Sequence, residues 1–390
     1  MNSIKAVYIH IPFCKQICHY CNFVKYFYME NMADDYVEAL IREIDCTVSG
    51  YNVHVDTIYM GGGTPTALNV EQLKKLFGFL DRKFNLGTCK EFTIEINPGD
   101  IDQEKAHLLS SYGVNRVSFG VQVMDDDMLR KIGRMHSVKD VYETVNLLTK
   151  NEFHNISLDL IYALPNQTVE HFEQTLNDAL QFGLPHYSTY ALQIEPKTVF
   201  YHKQNKGQLQ RPPEDAEVEM YRILQREMKN RGIEQYEISN FAKPGYESNH
   251  NLTYWNNDYY YGFGAGAHGY IPGKRTSNIK PLGTYIRSAS EGSAIDEIET
   301  ITIKDQIEEE LFLQLRKTSG ISKKMFQQKY GVSLEKLYAN ELQVLLEQGL
   351  LRLKDGNYRL TDRGMLLGDQ VFSKFLMMQS FDDKIIQLES

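Results

Sequence analysis

The sequence predicts an α/β fold of six strand-and-helix units followed by a smaller α+β domain, and three observations predict it. Apolar runs of strand length alternate six times with segments whose apolar residues recur at helical spacing. Several of the strands carry glycine, a carboxylate or an amide near their C-terminal ends, where parallel sheets place their chemistry. Beyond about residue 300 the alternation stops, and helices lead into the strand pair Leu350 to Leu360. A length of 390 residues suits one large domain plus a smaller one. The expected boundaries are a core over 1–235, a connecting region over 236–300 and a helical, winged-helix-like domain over 301–390.

The first strand is the apolar run Ala6 to Ile11. It leads into His10-Ile11-Pro12-Phe13-Cys14-Lys15-Gln16-Ile17-Cys18-His19-Tyr20-Cys21, which holds three thiols within eight residues. Zinc sites are usually built from paired knuckles, and the other two cysteines, Cys46 and Cys89, are isolated. Three soft thiolates suit an iron-sulfur cluster that leaves one iron open to a further ligand. A helix follows with Val37, Leu40, Ile41, Ile44 and Val48 on its apolar face, and Cys46 on it reads as structural.

Asp56 to Met60 is the second strand, ending in Gly61-Gly62-Gly63-Thr64-Pro65, where no side chain obstructs close approach of the backbone to a ligand. Asn69 and Gln72 form a capping pair for a helix whose buried face is Leu73, Leu76, Phe77, Leu80 and Phe84. The unit then recurs as strand Glu91 to Asn97, a helix from about Gln103, strand Arg116 to Val121, and a helix through Val141, Val145 and Leu148. Strand Ile156 to Tyr162, a helix around Phe172, Leu176 and Leu180, and a sixth strand His186 to Ile194 complete the series. Glu95, Gln122 and Asp159 near strand ends are costly to bury without partners, and Arg134 suits a bidentate pair with a carboxylate. The pattern alone leaves a partial barrel and a doubly wound sheet both open.

The spacing of Cys14, Cys18 and Cys21 resembles the signature of the radical S-adenosyl-L-methionine (AdoMet, SAM) superfamily. Tyr8-Ile9-His10-Ile11-Pro12-Phe13-Cys14, Gly61-Gly62-Gly63-Thr64-Pro65-Thr66 and Phe119-Gly120-Val121-Gln122 resemble motifs of its coproporphyrinogen dehydrogenase family. The resemblance runs over roughly residues 4 to 380. It implies a radical SAM partial (β/α)6 barrel with a [4Fe-4S] cluster on Cys14, Cys18 and Cys21. It also implies AdoMet contacts from Tyr8, Gly62, Gly63, Thr64, Glu95, Gln122, Arg134, Asp159 and Ala191.

The enzymatic branch of that family carries a fourth cysteine two residues after the third. Here Phe23 stands at that position, and the chain begins almost directly at its first strand. Both departures resemble the haem-chaperone branch, as does His250-Asn251-Leu252-Thr253-Tyr254-Trp255, which is similar to that branch's HNxxYW segment. The resemblance implies a protein that binds haem as cargo and passes it to an acceptor haemoprotein, with His250 as the candidate iron ligand. Imidazole suits haem iron, and Tyr254 and Trp255 offer flat surfaces to a porphyrin. The rival expectation is oxygen-independent coproporphyrinogen III dehydrogenation, and no catalytic residue is assigned under either reading. Tyr259 to Gly269 reads as a turn, or as a loop closing over AdoMet or porphyrin, with His268 left unassigned. Its glycines do not make a dinucleotide site, because the required strand, helix and acidic residue do not follow in order.

In the last part of the chain, Asp355-Gly356 marks a hairpin after helices, the pattern of a winged helix. Glu308, Glu309 and Glu310 read as a solvated helix start. A formal net charge of -9 argues against broad nucleic-acid binding, so a protein-contact or lid role is expected for this domain. Five cysteines, three of them clustered, point to a reducing cytoplasm. No signal segment is expected, and no apolar run approaches the roughly 20 residues of a membrane span, which leaves peripheral membrane contact through a partner.

Overall fold

The apolar run near the amino terminus folds as β1, Ala6–Ile11, and five further parallel strands follow it in a computed structural model that describes residues 4–376. They are β2 (Thr57–Gly62), β3 (Glu91–Ile96), β4 (Arg116–Gln122), β5 (Asn155–Tyr162) and β6 (His186–Ala191). Each pairs in parallel with its predecessor, so the strands lie side by side in chain order. Helices α1 (Glu30–Thr47), α2 (Val70–Phe84), α3 (Gln103–Ser111), α4 (Asp126–Lys131), α5 (Val138–Lys150) and α6 (Val169–Leu180) form the crossovers. This is the partial six-unit barrel.

Period-two alternation sorts the side chains. Val7, Ile9, Ile58, Met60, Phe92, Ile94, Val117, Phe119, Ile156 and Leu158 join Leu40, Leu73, Leu76 and Phe172 in one buried core. Tyr8, Tyr59, Glu95, Ser118 and Asp159 alternate with them and so share the opposite face. Register sets Tyr8 beside Tyr59, Glu95 beside Ser118, and Asp159 beside both Gly120 and Ser188. The capping box expected at Asn69 and Gln72 is formed, with the Gln72 amide N–H donating to Asn69 Oδ1 at 2.9 Å. Two boundaries differ from the sequence reading. The sixth strand stops at Ala191, where Pro196 and left-handed Lys197 (φ 68°) carry the chain away. Cys46 is exposed near the end of α1, so it supports no core.

Residues 259–269 hold the expected turn, at 264–267, but between two strands rather than as a closing loop. β7 (Tyr260–Phe263) pairs in parallel with the free edge of β1, setting Ala6 beside Tyr260 and Ile9 beside Phe263. The antiparallel strands β8 (His268–Ile271) and β9 (Lys274–Asn278) extend the sheet, and β10 (Ile295–Thr300) lies outermost. Glycines masked the alternation because tight packing demands them. A Cβ at Gly262 would strike the His268 carbonyl, and one at Gly264 (φ 101°) would lie 2.5 Å from the His10 carbonyl oxygen. The buried Glu43 carboxylate of α1 clasps this edge, accepting from Gly264 N–H (3.0 Å), Asn278 Nδ2 (2.6 Å) and Tyr285 Oη (2.6 Å).

Clustering divides the chain into two units. One holds residues 1–234, 241–250 and 259–299, and the other holds 235–240, 251–258 and 300–390. In the second, α7 (Ile303–Arg316), the short strand Ile321–Ser322, α8 (Lys323–Tyr330), α9 (Leu334–Glu347), β11 (Leu351–Lys354) and β12 (Asn357–Leu360) make a winged helix around Leu311, Phe326, Leu342 and Leu360. The short strand pairs antiparallel with β12, and β12 with β11. The hairpin turns on Asp355 and Gly356, both with positive φ. The glutamate run is not a solvated helix start. α7 begins at Ile303, and Glu310 is buried with Lys329 Nζ at 2.6 Å, because this face of the helix packs on α8. No helix among the described residues is long and apolar enough to cross a membrane.

Candidate cluster and cofactor site

The loop after β1 is folded by its own backbone. Phe13–Cys14 pairs with Tyr26–Phe27, Tyr28 N–H donates to the Cys14 carbonyl at 3.0 Å, and Lys25 Nζ donates to the Cys21 carbonyl at 2.6 Å. Cys14 is buried, and Cys18 and Cys21 are half-buried. Burial pushes the Cys14 thiol up to about 12. The Thr64 hydroxyl and Arg134 act against that shift, while Cys21 and Cys18 add to it. Burial likewise raises Cys21, with Lys25 opposing. Three thiols that repel one another as thiolates would be eased by a cationic centre among them. Phe23, at the position of a fourth cysteine, is 62% exposed and offers no donor. Among the described residues no three His, Cys, Asp or Glu, the three cysteines included, converge as a preformed metal-binding group. Three soft thiol donors on one loop are the chemistry of an iron-sulfur cluster with three protein ligands.

The glycine run after β2 is the floor of the site. A Cβ at Gly61 would lie 2.7 to 2.9 Å from the Glu95 carboxyl group, one at Gly62 (φ 111°) would strike the His10 ring, and one at Gly63 would lie 3.0 Å from Cys14 Sγ. The run admits the cluster loop and two polar side chains. Glu95 accepts from Tyr59 Oη (2.7 Å) and Gly62 N–H (3.0 Å), and burial pushes its carboxyl up to about 7. It remains half-buried, with part of its surface accessible. Tyr8 Oη meets His10 Nδ1 at 2.9 Å, and His10 Nε2 donates to the Val24 carbonyl at 2.8 Å, which ties strand to loop.

Gln122 ends β4 at a bulge and holds φ 72°, a strained value for a residue with a side chain. Arg134 donates to Tyr20 and Asn97. Asp159 accepts from Ser118 Oγ (3.0 Å) and Ser157 Oγ (3.1 Å), yet burial still raises its carboxyl. Ala191 closes β6 beside Tyr162. Cys14, Gly63, Thr64, Asn97, Gln122 and Arg134 thus form one neighbourhood at the C-terminal strand ends, with Glu95 and Asp159 on the same sheet face. Sequence reading missed Tyr20, Asn97 and His10. The signals were present: an aromatic inside the cysteine loop, an amide ending a strand, and His10 two residues beyond Tyr8.

His250 does not face a ligand. The ring is wholly buried, its Nδ1 meets Thr57 Oγ1 at 2.9 Å, and its ring centroid lies 5.2 Å from that of Tyr59. Glu91 accepts from its backbone N–H at 2.9 Å. Burial, with Arg116 adding to it, pushes the imidazole down to about 3. Presenting it to haem iron would mean dismantling this anchor. Trp255, in the second unit, has Arg316 over its ring at 4.6 Å. His268 is exposed on β8.

A three-cysteine loop after the first strand of a partial six-unit barrel, with carboxylates, an amide and an arginine at the strand ends, defines a radical AdoMet protein. The Radical SAM superfamily model matches residues 8–179, and the HemN C-terminal domain model matches residues 301–367. That superfamily carries a [4Fe-4S] cluster and AdoMet. The chain belongs to the HemW family. It is 50% identical to "Heme chaperone HemW" of Bacillus subtilis over 96% of this chain and 99% of that one. It is 42% identical to the protein of that name from Lactococcus lactis, over 95% and 97%. In fold it resembles coproporphyrinogen III oxidase (HemN) from Escherichia coli, with a TM-score of 0.83, 24% identity, and coverage of 96% of this chain and 90% of that one.

Proposed function

We propose that the protein is a cytoplasmic haem chaperone that binds haem and hands it to an acceptor haemoprotein. The observation that carries this reading is the 50% identity, over 96% of the chain, to a relative named as a haem chaperone. In this reading Cys14, Cys18 and Cys21 hold a [4Fe-4S] cluster. Tyr8, Gly62, Gly63, Thr64, Glu95, Gln122, Arg134, Asp159 and Ala191 hold AdoMet. Held by these thiolates and reduced, such a cluster would supply an electron to a sulfonium bound beside it. The chain's own part is to carry the thiolates on a closed loop, to offer Glu95 to an ammonium and Arg134 to a carboxylate, and to keep bulk water off the glycine floor. Residues 1–234, 241–250 and 259–299 carry the barrel with its added edge strands, so the expected connecting region 236–300 is no separate element, and the winged helix follows residue 300. His250 anchors the HNxxYW segment through Thr57.

Anaerobically reconstituted protein, titrated with haem, mixed with an apo-haemoprotein and separately supplied with reductant, AdoMet and coproporphyrinogen III, tests the reading. Haem uptake and transfer without porphyrin product is the expected result. Catalytic formation of protoporphyrinogen, or no haem uptake, overturns it.

A further inference from the structure

Arg134 is gripped from two sides. Its Nε and NH2 donate to Tyr20 Oη at 3.1 and 2.8 Å, and its NH1 donates to Asn97 Oδ1. A guanidinium carries five N–H donors, so one remains on each terminal nitrogen. The Asn97 amide orientation is forced, because a guanidinium cannot accept and the oxygen must face it. Asn97 Nδ2 consequently donates to Thr64 Oγ1 at 2.7 Å, and Thr64 Oγ1 in turn lies 3.9 Å from Cys14 Sγ. Gly120 makes the grip possible. A Cβ there would lie 3.2 Å from Asn97 Oδ1 and 3.3 Å from Arg134 NH2.

We infer that Asn97 and Tyr20 are positioning residues, which hold the Arg134 guanidinium so that its two remaining N–H groups form a fork for the carboxylate of AdoMet. This rests on the AdoMet reading above. An unrestrained arginine must surrender its rotamer freedom when it binds, whereas one already held by Tyr20 and Asn97 has surrendered it on folding. Through Thr64, Asn97 also ties the fork to the strand segment that bears Cys14, setting the distance between carboxylate recognition and the cluster loop. A change at Asn97 therefore acts through Arg134.

Calorimetric binding of AdoMet to the anaerobically reconstituted full-length holoprotein tests this, with iron content and thermal melting recorded for each variant. Asn97→Ala is expected to weaken AdoMet by about tenfold, the order expected when a hydrogen bond to a charged group is lost. Tyr20→Phe, which keeps the ring, is expected to weaken it by a similar factor. Arg134→Met should lose more, and adding Asn97→Ala to Arg134→Met should cost nothing further. Unaltered affinity in both Asn97→Ala and Tyr20→Phe overturns the inference, as does a double variant whose losses add in full. If Asn97→Ala does not fold, the Tyr20→Phe pair of measurements decides alone. Wild-type protein that holds its cluster but binds no AdoMet would overturn the AdoMet reading itself.

Discussion

Thr57 Oγ1 and His250 Nδ1 lie 2.9 Å apart and join the start of β2 to a residue 193 positions later. Neither has appreciable exposed surface. That relationship makes His250 a fastening of the fold. Replacing it with Ala is expected to lower stability by about 3 kcal/mol, through the cavity and the partner left unpaired. Haem affinity of the folded fraction should not change. Urea melts and haem titrations of the same preparation check both halves; lost affinity with intact stability would restore His250 as a ligand.

Stability should rise as pH is raised from 5 to 6.5. His250 (about 3) and His136 (about 4) are both pushed down by burial, so the unfolded chain binds more protons than the native one below the ordinary value of about 6.5. Each histidine contributes at most about 1.4 kcal/mol per pH unit. Glu95, raised to about 7, opposes them from about 4.5 upward, because its native form keeps the proton longer. Glu95→Gln should accordingly steepen the rise, as denaturant melts at pH 5, 6 and 6.5 will register.

AdoMet affinity should increase between pH 6 and pH 8. With its carboxyl at about 7, Glu95 gains the charge that attracts an ammonium only across that range. Glu95→Gln is expected to bind weakly and with a flat pH profile, whereas an unflattened profile assigns the titration to another group.

Phe23→Cys should not confer porphyrinogen turnover. The side chain at 23 is largely exposed and points away from protein neighbours, so a fourth thiol there is expected to add no cluster ligand. Iron content and coproporphyrinogen III assays are the check, and turnover by this single variant would place the division between the two branches at one residue.

In the winged-helix unit, Lys329→Met is expected to cost about 1 kcal/mol by removing the half-exposed cationic partner of the buried Glu310 carboxylate, which keeps Gln314 and Tyr330 as donors. A second change, Glu310→Met, should restore most of it, because a buried pair is often replaceable by apolar side chains. Chemical denaturation of the three full-length proteins measures the cycle.

Much of this fold was legible in the sequence. The apolar run Ala6 to Ile11 and the periodicity through Leu73, Leu76 and Leu80 follow directly from burial, and both appear as read. The edge strands at 260–278 were not legible, because Gly262 answers to the returning strand at His268 and Gly264 to His10 and Tyr36, more than 200 residues away, and both erase the local pattern. Cys14, Cys18 and Cys21 share a loop whose spacing is itself the signal. Asn97 and Arg134 are joined by tertiary contact alone, which no window of sequence displays. His250 misled for the complementary reason: a histidine among aromatics looks the same in sequence whether it faces iron or the Thr57 hydroxyl.

The pairing of β1 on both sides has a consequence for biosynthesis. β2 reaches it early, but its other neighbour is Tyr260–Phe263, and the Glu43 carboxylate on α1 waits for Asn278 and Tyr285. While the ribosome is still translating the middle of the message, the emerging chain has an open strand edge and an unsatisfied buried acid beside the segment that bears the three thiols. Closure comes only when most of the polypeptide has left the exit tunnel. Long-range pairing of this kind makes late folding slow. Cluster insertion is thus expected to follow translation, and a nascent chain stalled before residue 260 should take up no iron.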